Sequence, residues 1–141
     1  MPSSFTSRFS FSANTNEHGQ VAQVAKRAKR NQSRVHLLAN DGEHYGFVAF
    51  SLSSVLGQIP ALVVDYLFVS LPYRRVVFEE LGGLKIADYL LAHSFNSAIQ
   101  ISEVAPVRYI ALLPADEALD TYYKRRGFKK LDASDWLFLK M

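Results

Sequence analysis

Ala115-Asp116-Glu117-Ala118-Leu119-Asp120-Thr121-Tyr122-Tyr123-Lys124-Arg125-Arg126-Gly127-Phe128 is the stretch on which the reading of this chain turns. Leu119, Tyr122 and Tyr123 recur at helical spacing while Asp116, Asp120, Lys124 and Arg125 fall between them, so the spacing predicts a short amphipathic helix. Pro114-Ala115-Asp116 opens it, because proline suits a helix start and an acidic side chain suits the first turn. Gly127 stands where a left-handed cap is wanted, and Phe128 begins a strand.

Upstream, Pro106 resets the chain before an apolar strand over Val107 to Leu113. Before that, Leu81 to Ile101 reads as a long helix, with Leu84, Ala87, Leu90, Leu91 and Phe95 on one side and Lys85, Asp88 and Gln100 more polar. Ala61-Leu62-Val63-Val64-Asp65-Tyr66-Leu67-Phe68-Val69 is apolar enough to cross the middle of a sheet. Arg34 to Ala39 alternates toward Asn40-Asp41-Gly42, a strong hairpin turn, and Tyr45 to Leu52 continues as its partner. A helix over Val21, Val24, Ala25 and Ala28 precedes the hairpin, with N-cap chemistry available from Asn14 to Glu17. Phe5 to Phe11 reads as a short aromatic strand after a loose tail, and strands near Lys129 to Leu131 and Trp136 to Leu139 end the chain. The order predicts an α+β fold, with hairpins in front and one crossover helix behind the central strand.

At 141 residues the chain suits one domain, 1–141. With 49% apolar and 21% charged residues it has the balance of a folded protein rather than a disordered one. Cysteine is absent, which excludes disulfides, thiolate nucleophiles and cysteine zinc sites. No apolar run reaches the roughly 18 residues of a membrane helix and no leader pattern is seen, so a cytoplasmic protein without a membrane partner is expected. A net charge of +3 owes much to Lys26-Arg27-Ala28-Lys29-Arg30 and nearby Arg34. That run reads either as a solvated helix face or as a surface for a polyanion. His36, His44 and His93 lack the spacing of a metal site, so none is expected. Ser51, Ser53 and Ser54 form no nucleophile elbow, and there is no phosphate-loop lysine motif.

Together these residues resemble the GNAT superfamily of N-acetyltransferases, with some likeness to its toxin-type members. Three segments carry the resemblance: Tyr122-Tyr123 running into Gly127-Phe128; Leu67-Phe68-Val69-Ser70-Leu71-Pro72-Tyr73-Arg74 at the end of the central strand; and Leu81-Gly82-Gly83-Leu84 leading into Ala87-Asp88 and Leu90-Leu91. The resemblance implies a GNAT-like acyltransferase fold, a mixed central sheet flanked by helices, here with a shortened first helical region. It implies transfer of an acetyl group from acetyl-CoA to an amine by direct attack. Main chain around Phe68 and Val69 and at Gly82 and Gly83 would hold the cofactor, the glycines letting phosphate oxygens approach backbone amides. Arg74, Arg75 or Lys85 would meet the phosphate charge. Tyr123 would protonate the departing thiolate, and Tyr122 would pack.

The chain departs from the pattern in two places. Pro72 stands one position late, and residues 75–81 are inserted before the glycine pair, so that Glu80 takes the place of an earlier glycine. A carboxylate there would repel a pyrophosphate unless it points away. For the general base, Asp65, Glu43 and His44 are the candidates. The acceptor stays open among a small amine, a protein amine and an aminoacylated tRNA, the last suited to the basic run. Gly82-Gly83 also reads as a simple helix-start turn, and a non-catalytic relative that binds an acyl-CoA or a protein is the rival reading. Trp136, Leu137 and Phe138 suit either a homodimer surface or the core.

Overall fold

Asp41 and Gly42 both take positive φ, 49° and 80°, the geometry whose twist matches a two-residue hairpin. They join strand β1 (Arg34–Asn40) to β2 (Glu43–Val55) as the Asn40-Asp41-Gly42 signal predicts. The computed structural model describes residues 4–13, 16–57 and 59–141. Along the hairpin Leu38 faces Gly46 while Ala39 faces His44, so Tyr45 is the extra residue of a bulge.

The remaining elements follow in order. Helices α1 (Ser4–Ser7) and α2 (Glu17–Lys29) precede the hairpin, and β3 (Ile59–Val69) follows it. A 3-10 turn at Leu71–Tyr73 leads to a small hairpin of β4 (Val77–Phe78) and β5 (Leu84–Lys85), with a second 3-10 turn at Glu79–Leu81 between them. Then come α3 (Ile86–Ser102), β6 (Tyr109–Leu112), α4 (Glu117–Lys124), β7 (Lys129–Lys130) and β8 (Leu137–Lys140). Six strands form one mixed sheet in the order β1-β2-β3-β6-β8-β7, flanked by helices. Strands β3 and β6 are parallel across the α3 crossover, while β1 with β2, β6 with β8 and β7 with β8 pair antiparallel.

Two expectations are corrected. Phe5 to Phe11 is not a strand: Ser4–Ser7 is a helical turn and the chain after it is irregular. The aromatic spacing there reflects burial of single rings, with Phe5 and Phe9 at 4% and 6% exposure. The long helix begins at Ile86 rather than Leu81. Gly82 and Gly83 both sit at positive φ, 75° and 79°, which a right-handed helix cannot contain. The N-cap chemistry expected from Asn14 and Thr15 lies outside the described residues. Asn16 occupies the cap position of α2 without a side-chain cap bond.

Contacts divide the chain into two compact units, Met1–Phe50 with Tyr66–His93 and Ser51–Asp65 with Ser94–Met141. Strands β2 and β3 and helix α3 each contribute to both. The first unit has an aromatic core: Phe5, Phe9, Phe47 and Phe68 bury with Val21, Val24 and Ala49. Phe9 meets Phe68 edge-on with ring centroids 5.4 Å apart, a favoured aromatic geometry. The second unit buries Val55, Ala61, Val63, Ala111 and Leu131, against which Trp136 and Phe138 pack, and Leu137 is fully buried. Those three C-terminal residues therefore serve the core of their own unit.

Candidate active site

The parallel ladder of β3 with β6 runs from Ala61↔Tyr109 to Val64↔Leu112, whereas β3 itself continues to Val69. Its last residues, Phe68 and Val69, are held from the other side. Gly46 of β2 lies so close that a Cβ there would stand 2.4 Å from the Phe68 carbonyl oxygen and 3.2 Å from Val69 Cα. The Ser70 amide donates to the Tyr45 carbonyl (2.8 Å). Phe68 is 2% exposed and belongs to the aromatic core, so what it can offer a ligand is main chain.

Arg74 follows the 3-10 turn. Its Nε donates to the Val69 carbonyl (2.8 Å), its Nη2 pairs with Glu17 Oε1 (2.8 Å), and its guanidinium lies 5.4 Å from the centroid of the Phe68 ring. Burial raises the Glu17 pKa, but hydrogen bonds from Arg74 and the Ser12 amide, with the Arg74 charge, outweigh it and hold the carboxyl below its usual range. Because the folded value is depressed, this pair stabilises the fold above the ordinary carboxylate pKa and is lost as pH falls through the folded one. Arg75 takes φ 67°, an uncommon conformation for a non-glycine residue, and is exposed.

Gly82 and Gly83 sit in the turn between β4 and β5. The Gly82 amide donates to the Glu79 carbonyl and the Gly83 amide to the Phe78 carbonyl, both at 3.0 Å. The inserted residues thus use the very N–H groups that the glycine pair was expected to present to a phosphate. Positive φ explains the two glycines on its own, and a Cβ would meet nothing within 4 Å at either. Lys85 is exposed opposite Val77, one residue before α3 begins.

In the second unit, Asp116 caps α4 by accepting from the Leu119 amide (2.8 Å), and Gly127 at φ 99° ends it. Tyr123 is 5% exposed, its ring edge-on to Tyr122 (5.2 Å) and Phe128 (5.5 Å). Arg126, just past the end of α4, lies 3.5 Å over the Tyr122 ring and Lys124 pairs with Asp120 at 2.8 Å, so both cations are engaged by residues of α4.

The three base candidates fare differently. Glu43 accepts from the Tyr73 hydroxyl (2.6 Å), and Asp65 accepts from Ser51 Oγ (2.9 Å). His44 Nδ1 is buried with no hydrogen-bond partner among the described residues, beside the Phe9 ring at 5.8 Å. No group of three His, Cys, Asp or Glu able to hold a metal occurs among the described residues.

One arrangement escaped the sequence. His36 Nδ1 and His93 Nε2 stand 2.7 Å apart, on β1 and α3, at a cavity of about 420 Å³ lined also by Arg34, Leu38, Tyr89 and Leu90. Burial, then the charges of His93 and Arg34, lowers the His36 pKa, so the fold disfavours its charged form. No local spacing could announce a pair so distant along the chain.

The architecture is that of the GNAT-like acyltransferase fold. No family model and no curated protein matches the sequence. Solved structures do. AtaTR bound with AcCoA superposes with a TM-score of 0.78 at 16% identity, covering 96% of this chain and 85% of that one. AtaT complexed with acetyl-methionyl-tRNAfMet gives 0.75 at 15% identity, covering 96% and 86%. The KacTA–DNA complex gives 0.70 at 18% identity, covering 92% and 82%. At these identities the likeness is one of fold.

Among the described residues no helix is long and apolar enough to cross a membrane.

Proposed function

We propose that this chain, taken as one domain over 1–141, is an N-acetyltransferase that moves the acetyl group of acetyl-CoA to an amine by direct attack. The observation that carries the reading is the fold shared over nearly the whole chain with AtaTR, a protein recorded with AcCoA. The register of β3 supports it. Beyond Val64 the strand runs on without continuing the β6 ladder, leaving main chain at Phe68 and Val69 suited to align an extended thioester arm.

The diphosphate is assigned to the first turn of α3, a helix of 17 residues whose amides and dipole favour an anion. Arg75 and Lys85 supply the cations. The amine nitrogen attacks the thioester carbonyl, forming the C–N bond as the C–S bond breaks, and the thiolate takes a proton from the Tyr123 hydroxyl while the amine proton leaves to water. Positioning carries most of the acceleration. Tyr-to-Phe variants of both AtaT and KacT have been solved, which lends weight to a tyrosine in this role.

Calorimetric titration with acetyl-CoA tests the reading: saturable binding is expected with a Kd in the range of roughly 1 μM to 1 mM usual for enzyme substrates. Absence of heat at millimolar ligand favours a non-catalytic relative instead. A specific observation speaks for that rival, since the Gly82 and Gly83 amides are already bonded within their turn and the exposed carboxylates of Glu79 and Glu80 lie beside them.

The acceptor is proposed to be an aminoacylated tRNA. Lys26, Lys29 and Arg30 are exposed at the end of α2, where cations also suit the helix dipole. The structures of AtaT with acetyl-methionyl-tRNAfMet and of KacTA with DNA support a nucleic-acid partner. Replacing the three cations by glutamine should flatten the dependence of log K on log salt for tRNA by about 2 to 3, near 0.9 for each lost phosphate contact. An unchanged slope removes α2 from the interface.

A further inference from the structure

We propose that Glu17 and Arg74 form a clip that sets the main chain at the end of β3, and that Arg74 serves substrate binding through this geometry rather than by touching the phosphates. The inference rests on the acyl-CoA reading above and replaces the direct role first expected for Arg74.

Arg74 is tied from two sides. Nε holds the Val69 carbonyl and Nη2 holds Glu17, both at 2.8 Å. The planar fork makes both bonds at once, which a lysine ammonium on a flexible stem does not reproduce. The Val69 carbonyl and the Ser70 amide belong to one rigid peptide plane, and that amide is bonded to the Tyr45 carbonyl at 2.8 Å. Both edges of the plane are therefore fixed, and with them the direction in which the last residues of β3 present their main chain.

The segment before α2 fastens the clip. Glu17 Oε1 also accepts from the Ser12 amide, the Ser10 amide donates to Ser70 Oγ, both at 2.8 Å, and the Leu71 amide donates to the Ser10 carbonyl at 2.9 Å. Glu17 and Arg74 side chains are 20% and 30% exposed, so part of the pair is shielded from water. Drawing the guanidinium away to a phosphate would leave a half-buried carboxylate and the Val69 carbonyl without their donor, a costly exchange. Glu17 is in this account a positioning residue, acting on β3 through Arg74.

The test uses binding, with a sign that a charge effect cannot imitate. Acetyl-CoA and S-acetyl-pantetheine, which lacks the diphosphate, are titrated into the full chain and into Glu17→Gln and Arg74→Lys. Each variant is expected to bind both ligands about tenfold more weakly, the scale of a charge-assisted hydrogen bond. Were Arg74 a phosphate ligand, Arg74→Lys would keep its charge and most of its affinity. Glu17→Gln, by removing a negative charge near a polyanion, would bind acetyl-CoA more tightly.

Wild-type affinity in Arg74→Lys, or unchanged or tighter binding in Glu17→Gln, overturns the clip. So does a loss confined to acetyl-CoA with S-acetyl-pantetheine unaffected. Thermal unfolding of each variant accompanies the titration, and if Glu17→Gln does not fold, Arg74→Lys decides alone, since it retains the ion pair. Failure of the wild-type chain to bind acetyl-CoA overturns the acetyltransferase reading and this inference with it. Wild-type binding with unaffected variants overturns the inference only.

Discussion

Gly46→Ala is expected to destabilise the fold by roughly 3 kcal/mol, the upper range of overpacking, which for a chain of this size lowers Tm by about 10 °C. The added methyl would stand 2.4 Å from the Phe68 carbonyl oxygen, 3.2 Å from Val69 Cα and 3.4 Å from Ile86 Cγ2. The two nearest atoms are backbone of β3, so no rotamer change relieves the clash. Strand β2 must move away, and the bulge at Tyr45 that lets its carbonyl reach the Ser70 amide moves with it. Calorimetric or circular-dichroism melting checks the value. A Tm within about 2 °C of wild type would mean that the close approach of β2 to the end of β3 is not a feature of the folded protein in solution. Acetyl-CoA binding should weaken in step, because the same shift disturbs the main chain assigned to the thioester arm.

Tyr123→Phe is expected to slow acetyl transfer by about 100-fold or more, the usual worth of a positioned general acid, with little change in acetyl-CoA affinity. The ring keeps its edge contacts to Tyr122 and Phe128, so its packing is preserved and only the hydroxyl is lost. That separation of kcat from binding distinguishes chemistry from packing. Release of free thiol from acetyl-CoA, followed with whichever acceptor supports turnover, gives the measurement. Turnover equal to wild type would leave Tyr123 as a core residue that ends α4 against Phe128.

Much of the architecture was legible because the decisive signals are local. Asn40-Asp41-Gly42 dictates its turn whatever surrounds it, Gly127 stops α4, and the run from Ala61 to Val69 is apolar enough to lie in mid-sheet. The Phe5 to Phe11 segment imitates a strand because three rings stand at close spacing, whereas Phe5 packs on Phe47 and both Phe9 and Phe11 pack on Phe68. The start of α3 differs from the sequence expectation because a glycine pair before an apolar helix suggests a helix-start turn, and only φ reveals a left-handed one.

The candidate site was less legible than the fold. Glu17 with Arg74, Glu43 with Tyr73 and His36 with His93 are all pairs brought together from distant parts of the chain. Residue type gives the capacity for such bonds, but the partner is chosen by the folded sheet. The inserted hairpin is a different case. Its presence was visible as an interruption between Arg74 and Gly82, yet the consumption of the two glycine amides follows from hydrogen bonding that no composition encodes.

The rings of Phe5 and Phe9 leave the ribosome well before Phe47 and Phe68, against which they close. Until β3 has emerged, the nascent chain carries bare aromatic surface at Phe5 and Phe9, of the kind that chaperones and neighbouring chains capture. Removing those two rings would leave Phe47 and Phe68 without the cover that closes the first unit's core.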